Sequence, residues 1–470
     1  MNFAESAEEK TIGSRMAKPH VLVIPYPVQG HVIPLMELSL SLVKHGIKVT
    51  FLNTKYNHER IISSFPEGSD IESQLCLVWI ADSSESAEKT KKPVTTGEVL
   101  KHMPGKVEEL IDCMNGSETE KINCVLADQS IGWALDIAEK KGIWRAAFCP
   151  AAAAQLVLGL IIPKLIENGI IDKNGTPLRK QTIQLSPTMP SISTENLAWL
   201  NVGNQTTQRH IFELMMRNIK SMQLPEWLLC NSNFDLEPFA FKEAPNIIPI
   251  GPLMTSNPSG NSAGNFWPQD LTIMKWLDQQ SPSSVIYVAF GSFRTMSLTQ
   301  FQELALGLEL SNRPFVWVVQ PDFTEGKNYE YPEGFEDRVG DRGRMVGWSP
   351  QRKILTHSSV ACFISHCGWN STMESVSNGV PILCWPHFAD QFLNKSYVCD
   401  VWNVGMDLEQ DRRGIITSSE IRNKIEQVLN DGDLKERSKL LKKKVLNGIR
   451  QGGSSSNNLD SFIKWIKTKN

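Results

Sequence analysis

The apolar and polar positions of this chain fall into two alternating series separated by a stretch with no period. After a polar opening, HVLVIPYPVQGHVIPLMELSLSLVKHGIKVTFLNT reads as strand, loop, helix and strand, and it spans about 35 residues, the length of a βαβ unit. HVLVIP is almost wholly apolar, as a parallel strand covered on both faces must be. VIPLMELSLSLVK repeats its apolar positions at helical spacing and stops ahead of Gly46. LCLVWI, INCVLA and RAAFCP are further strand candidates, each followed by a helical or loop segment. Repeated alternation of this kind predicts a doubly wound α/β domain.

The stretch GPLMTSNPSGNSAGNFWPQD, residues 251–270, is rich in Gly, Pro, Ser and Asn and reads as a linker. Beyond it the alternation restarts with SVIYVAF, TQFQELALGLEL, FVWVVQ, VACFIS, TMESVSNG and PILCWP. The expected organisation is a disordered start over 1–17, one Rossmann-like α/β domain over 18–250, a second over 271–450, and a helical tail over 451–470. A cleft between two such domains is the natural ligand site, because these sheets bind ligands outside the carboxyl ends of their strands.

Composition removes several function classes. Across 470 residues, 48 Lys and Arg face 51 Asp and Glu, a net charge of −3, which offers no electrostatic footprint for nucleic acid. The one basic run, LKERSKLLKKKV at 434–445, carries its leucines at helical spacing and reads as a solvated amphipathic helix. Nine cysteines, mostly inside apolar runs, suit reduced thiols rather than a disulfide framework. The start has no apolar core of a secretory signal. The longest apolar run, AAAAQLVLGLII at 151–162, is shorter than a membrane span and is stopped by Pro163. It reads as a buried helix. A cytoplasmic monomer with no membrane span is expected.

No G-x-G-x-x-G follows a strand and no G-x-x-x-x-G-K-[ST] occurs. The single D-x-D, Asp431-Gly432-Asp433, lies between two helical patterns and reads as a turn whose Asp433 caps the second helix. Cys362, His366, Cys384 and His387 have zinc-like spacing. Both cysteines sit inside apolar strands, where free Cys behaves as a small hydrophobe, so no metal is expected.

SHCGWNSTMES, residues 365–375, has a different character. A strand, a glycine turn and polar residues opening a helix make a shape that holds anions, because the first helical N–H groups lack partners. His366 and the N–H groups around Gly368, Trp369, Asn370 and Ser371 gather at that helix start, where the dipole favours negative charge. Ser371-x-x-Glu374 also fits a capping box, in which Glu374 would serve only its own helix. In the first half, His31 follows the first strand at the mouth of a helix whose N-terminus disfavours an imidazolium and keeps a general base neutral. Asp128, closing the strand in NCVLADQ, can orient that ring and offset its charge once protonated. The plainer reading of His31 is a loop histidine with a local hydrogen bond.

The block 348–391, from Trp348 to Gln391, closely resembles the signature box of plant family 1 UDP-sugar glycosyltransferases. The W-S-P-Q start, HCGWNS, Glu374 four residues after Asn370, GVP and the closing Asp390-Gln391 all match in register. The likeness runs over nearly the whole chain, including PYPVQGH and the FGS of VAFGS. It implies two domains of the GT-B type, with the C-terminal helix crossing back to the first. It implies that Trp348 stacks on uracil, that Gln351 helps hold the uridine, and that Glu374 accepts the ribose hydroxyls. His366, Asn370, Ser371 and Ser292 would bind the diphosphate, and Trp369, Asp390 and Gln391 the sugar hydroxyls. A terminal Gln accompanies glucose donors in that family, so UDP-glucose is the expected co-substrate, with no cofactor and no metal. The same resemblance puts a catalytic pair at His31 and Asp128.

The implied reaction is inverting transfer of glucose to a hydroxyl, or a carboxyl, of a hydrophobic small molecule. A flavonoid or other phenolic secondary metabolite is the first expectation for the acceptor, and a triterpenoid or other terpenoid the alternative. A non-catalytic UDP-sugar-binding protein is the reading from another class. One departure stands out. Many relatives place Thr or Ser after the strand matching RAAFCP, against the sugar's 6-hydroxyl, whereas this chain reads CPAAAA at 149–154. That run either enlarges the acceptor pocket or packs a helix closely, and close packing is the simpler expectation.

Overall fold

The computed structural model describes residues 18–64, 75–81, 96–117, 120–186, 189–253, 270–291, 296–320 and 330–469. The expected disordered start lies outside them, as do most of the linker and Ser292. In the first half the strands are β1 (His20–Ile24), β2 (Lys48–Thr54), β3 (Leu75–Ile80), β4 (Cys124–Asp128), β5 (Trp144–Cys149), β6 (Thr182–Gln184), β7 (Ser191–Ser193), β8 (Trp227–Cys230) and β9 (Ile247–Pro249). In the second half they are β10 (Val285–Ala289), β11 (Phe315–Val318), β12 (Gly343–Val346), β13 (Val360–Ser365), β14 (Ile382–Cys384) and β15 (Gly405–Asp407).

One sheet has the order β3-β2-β1-β4-β5-β8-β9 and the other β12-β11-β10-β13-β14-β15, while β6 and β7 form a separate antiparallel pair. Neighbours in both large sheets are parallel, with Leu22 beside Val125 and Val288 beside Ile364. The continuous apolar strands follow from this. Leu22 and Ile24 enter the core on one face of the first sheet, Val21 and Val23 that on the other, and all four are fully buried. In the second sheet, Ile286 and Val288 oppose Tyr287 and Ala289 across β10 in the same way.

Each sheet reverses its direction of growth once, between β1 and β4 and between β10 and β13. At such a switch point the connections leave to opposite sides and open a crevice at the strands' carboxyl ends. His31 follows β1 and Asp128 ends β4. Gly291 follows β10 and His366 follows β13. The two crevices meet.

Helix Ser454–Lys467 returns to the first domain. Its Phe462, Ile463 and Ile466 are buried in the cluster that holds Val21 and Val23, and Phe462 lies 5.5 Å from the Trp227 ring. Ser455 and Asn458 donate to the carbonyls of Gly251 and Pro249 at 2.7 and 2.8 Å. Phe462→Ala is expected to lower stability by about 3–5 kcal/mol, the cost of an emptied aromatic site, which denaturant titration would measure.

Two local readings need correcting. Pro163 does not stop its helix but lies inside Ala153–Glu167, whose buried apolar side chains outweigh the one backbone hydrogen bond proline removes. In the D-x-D turn the cap is Asp431, which accepts from the Leu434 N–H at 2.8 Å, and Asp433 lies in the first turn of the helix. No described helix is long and apolar enough to cross a membrane.

Candidate active site

The meeting crevices enclose a cavity of about 270 Å³, lined from the first domain by residues such as Gln29, His31 and Ala151 and from the second by Trp348, His366, Glu374 and Asp390, among others. The geometry at His31 begins with helix Gln29–Lys44, which starts three residues before the sequence pattern suggested and so puts His31 in its first turn. His31 Nδ1 and Asp128 Oδ2 are 2.7 Å apart. The other carboxylate oxygen, Oδ1, accepts the Ser130 N–H at 2.8 Å. With Asp128 fully buried and the His31 side chain 27% exposed, the ring is fixed from behind and open to the cavity in front. An ionised Asp128 places the proton on Nδ1 and the lone pair on Nε2, the arrangement of a general base. Burial pulls the imidazole pKa down, but Asp128, by charge and hydrogen bond, and the more distant Asp390 outweigh it, so His31 titrates above its ordinary value.

The opposite wall is a tight turn between β13 and helix Trp369–Asn378. Cys367 adopts φ 64°, a left-handed conformation that costs a non-glycine residue about 1–2 kcal/mol. Its N–H donates to Ser365 Oγ at 3.1 Å, and its carbonyl accepts from Asn394 at 2.9 Å. The turn presses His366 against two glycines. A Cβ on Gly291, at φ 74°, would lie 2.7 Å from His366 Nε2, and one on Gly368 closer still. Helix Trp369–Asn378 has no side-chain cap, its first N–H groups lying beside the cavity. Anion binding there would satisfy them.

The capping-box reading of Glu374 does not hold. Its Oε2 accepts from Gln351 Nε2 at 2.7 Å and its Oε1 from Arg352 Nε at 2.9 Å. Gln351 is itself locked: it donates to Ser371 Oγ at 2.9 Å and accepts from the Tyr287 hydroxyl at 3.1 Å. The carboxylate therefore stands ready at the cavity wall, and each oxygen keeps a lone pair for a further donor. Asn370 reaches across the crevice and donates to the Gly30 carbonyl at 2.7 Å, joining the two helix starts.

Residues 208–444 match the family described as UDP-glucoronosyl and UDP-glucosyl transferase. UDP-glycosyltransferase 83A1 of Arabidopsis thaliana is 47% identical over 466 residues, covering 97% of this chain and 98% of that one. The chain belongs to family 1 of the plant UDP-glycosyltransferases. Linamarin synthase 1 of Manihot esculenta is 31% identical, with 95% of this chain and 97% of that one covered. Among solved structures, a UDP-glucosyltransferase from Polygonum tinctorium capable of glucosylating indoxyl superposes with a TM-score of 0.81 at 26% identity, covering 96% of this chain and 98% of that one. The fold of this glycosyltransferase is thus GT-B.

Of the site residues named from the sequence, the glycosyltransferase brings His31, Trp348, Gln351, His366, Trp369, Asn370, Ser371, Glu374 and Asp390 to one cavity, with Asp128 directly behind His31. Beyond the bonds already given for Gln351 and Asn370, two more side chains are otherwise engaged. Trp369 is 4% exposed and its indole N–H donates to the Asn231 carbonyl at 2.8 Å, so its side-chain donor is not free for a sugar and only its backbone can serve one. Gln391 is absent from the cavity lining, and its Oε1 accepts the N–H groups of His387 and Phe388 at 2.8 and 3.2 Å. What it can still offer is its amide nitrogen. Asp390 accepts from Asn394 at 2.9 Å, and burial pushes its carboxyl pKa up, although the Asn394 hydrogen bond and the nearby His31 pull the other way.

The alanine run divides. Ala151 borders the cavity, while Ala152, Ala153 and Ala154 are fully buried. The N–H groups of Ala153 and Ala154 are capped by the buried Glu237 at 2.8 and 3.0 Å. Glu237 is a residue that sequence reasoning missed, because its partners lie more than eighty positions away. The residues of zinc-like spacing form no metal-competent cluster among the described residues: Cys362 and Cys384 are fully buried, and burial pushes the Cys362 thiol up to about 12.

Proposed function

We propose that this glycosyltransferase moves glucose from UDP-glucose to a hydroxyl of a hydrophobic small molecule in one inverting step. The observation that carries the reading is the His31–Asp128 pair, 2.7 Å apart, on the wall of the cavity opposite the helix start. Trp348 offers an aromatic face for uracil, Glu374 meets the ribose hydroxyls, and Asn370, Ser371 and His366 meet the diphosphate. Asp390 holds the sugar, helped by the Trp369 backbone and the Gln391 amide. Ser292 is proposed for the diphosphate on sequence alone.

In the step itself, His31 Nε2 takes the acceptor hydroxyl proton as that oxygen forms a bond to the anomeric carbon. The bond from that carbon to the β-phosphate oxygen breaks, and its electron pair leaves with UDP. Asp128 balances the imidazolium. Charge growing on the departing phosphate falls on N–H groups already oriented toward it, which need no reorganisation during the reaction. The protein meets the diphosphate charge itself, and we propose that no metal takes part and that the enzyme acts as a cytoplasmic monomer.

Glucose as the donor sugar is supported by the terminal Gln391 and by relatives such as the 7-deoxyloganetic acid glucosyltransferase of Catharanthus roseus, 30% identical over 480 residues. A hydrophobic acceptor is supported by a Phytolacca americana structure holding UDP-2-fluoro-glucose and pterostilbene together and by the apolar Ala151 wall. The reading is tested by incubating the protein with UDP-glucose or UDP-galactose and a panel of phenolic, terpenoid and carboxylic acceptors. Mass gain of one hexose from UDP-glucose, undiminished by a chelator, is expected. Binding of UDP-glucose with no transfer to any acceptor would favour the non-catalytic reading.

A further inference from the structure

Arg352 stands immediately after the Gln351 of the nucleotide site, yet its guanidinium has three destinations in three parts of the chain. Nε donates to Glu374 Oε1 at 2.9 Å, Nη1 to Glu37 Oε1 at 3.1 Å, and Nη2 to the Leu253 carbonyl at 3.3 Å. Glu37 lies in the middle of helix Gln29–Lys44, the helix that carries His31 in its first turn. Leu253 is the last described residue before the segment joining the two domains. The ion pairs are sheltered: side-chain exposure is 14% for Arg352, 12% for Glu374 and 2% for Glu37.

A buried carboxylate in a helix interior is expensive unless paired, and Glu37 finds its cation 315 positions away in the other domain. A planar guanidinium can serve two carboxylates and a carbonyl at once in fixed directions, which an ammonium on a flexible stem does less well. We infer that Arg352 is a positioning residue, aligning Glu374 for the ribose and, through Glu37, holding the base-bearing helix in register with the bound nucleotide. This rests on the assignment of Glu374 to the ribose hydroxyls. Asn370 provides a second tie to the same helix at Gly30, so the helix is held at its start and again about two turns along.

The test compares UDP with 2′-deoxy-UDP by calorimetry in the wild type and in Arg352→Gln, Glu37→Gln and the Arg352→Gln/Glu37→Gln pair. The paired variant removes Arg352 and Glu37 together and so leaves no unpaired carboxylate at position 37, while Glu374 keeps its Gln351 hydrogen bond. In the wild type, loss of the 2′-hydroxyl is expected to weaken binding about tenfold, the worth of one charge-assisted hydrogen bond. Both variants lacking Arg352 are expected to lose most of that preference, because Glu374 Oε1 loses its anchor and the Gln351 bond to Oε2 alone leaves the carboxylate free to swing. Glu37→Gln keeps the preference, since Glu374 retains its partners, while kcat falls about tenfold as the helix loses its tether.

A folded Arg352 variant that keeps the wild-type preference overturns the inference, and so does Glu37→Gln with wild-type kcat. Wild-type protein that binds neither nucleotide removes the donor reading and this inference with it. Normal UDP discrimination in all four proteins removes this inference alone.

Discussion

His31→Ala is expected to bind UDP as the wild type does and to transfer sugar about 10²–10⁴-fold more slowly, the usual contribution of a positioned general base. The separation follows from the geometry. The imidazole sits on the first domain's wall of the cavity and is held by Asp128, whereas the residues proposed for the nucleotide belong to the other domain. Calorimetry with UDP and single-turnover mass gain read the two quantities independently. Wild-type transfer by the variant would remove His31 from the chemistry, and weakened UDP binding would show that its role is structural.

Asp128→Asn carries the second large effect, and it acts through proton placement. Asn can still accept the Ser130 N–H through its carbonyl oxygen, so the turn after β4 keeps its cap. The atom facing His31 Nδ1 then becomes an amide nitrogen, which donates. The ring is driven to carry its proton on Nε2, where the acceptor needs a lone pair, and kcat is expected to fall by about 10²–10⁴-fold. The pH dependence gives a second, signed readout. In the wild type, burial lowers the His31 pKa, but Asp128 and Asp390 raise it further, so the net shift is upward. With the neutral ring as the proposed active form, kcat/KM is expected to fall as pH drops through that raised value and to be level above it. Without the Asp128 charge the depressing effect of burial remains, so the acid limb moves to lower pH while the plateau drops. A limb moving to higher pH would contradict the assignment.

How much of this was legible in the sequence depended on whether partners were local. The unbroken apolar character of HVLVIP and SVIYVAF announces strands buried on both faces, and β1 and β10 have alternate residues in separate core clusters. His31 and Asp128 could be paired in advance because Asp128 closes a strand, His31 stands at the mouth of a helix, and the family resemblance puts a catalytic pair there; the structure adds that β1 and β4 are neighbours. Glu374 shows the opposite situation. Its spacing from Ser371 fits a cap, but the hydrogen bonds go to Gln351 and Arg352 on another helix, and a spacing rule cannot register competition from a distant donor. The Arg352–Glu37 pair and the Glu237 cap on Ala153 and Ala154 were invisible for the same reason. Asp431 was passed over for Asp433 because both acids of a D-x-D can begin a helix, and only the backbone decides which one precedes it. Trp369 was expected to meet a sugar, and nothing in HCGWNS reveals that its indole turns toward Asn231.

The most direct measurement is the anomeric configuration of the product formed from UDP-glucose, whose sugar is α-linked, read by the anomeric proton coupling in NMR. With His31 proposed as base on one side of the sugar and the diphosphate proposed on the other, attack and departure would be collinear, so a β-glucoside is the expected product. An α-glucoside would mean either that the acceptor oxygen arrives from the diphosphate side or that two displacements follow one another, and either route would contradict the single inverting step proposed for this site.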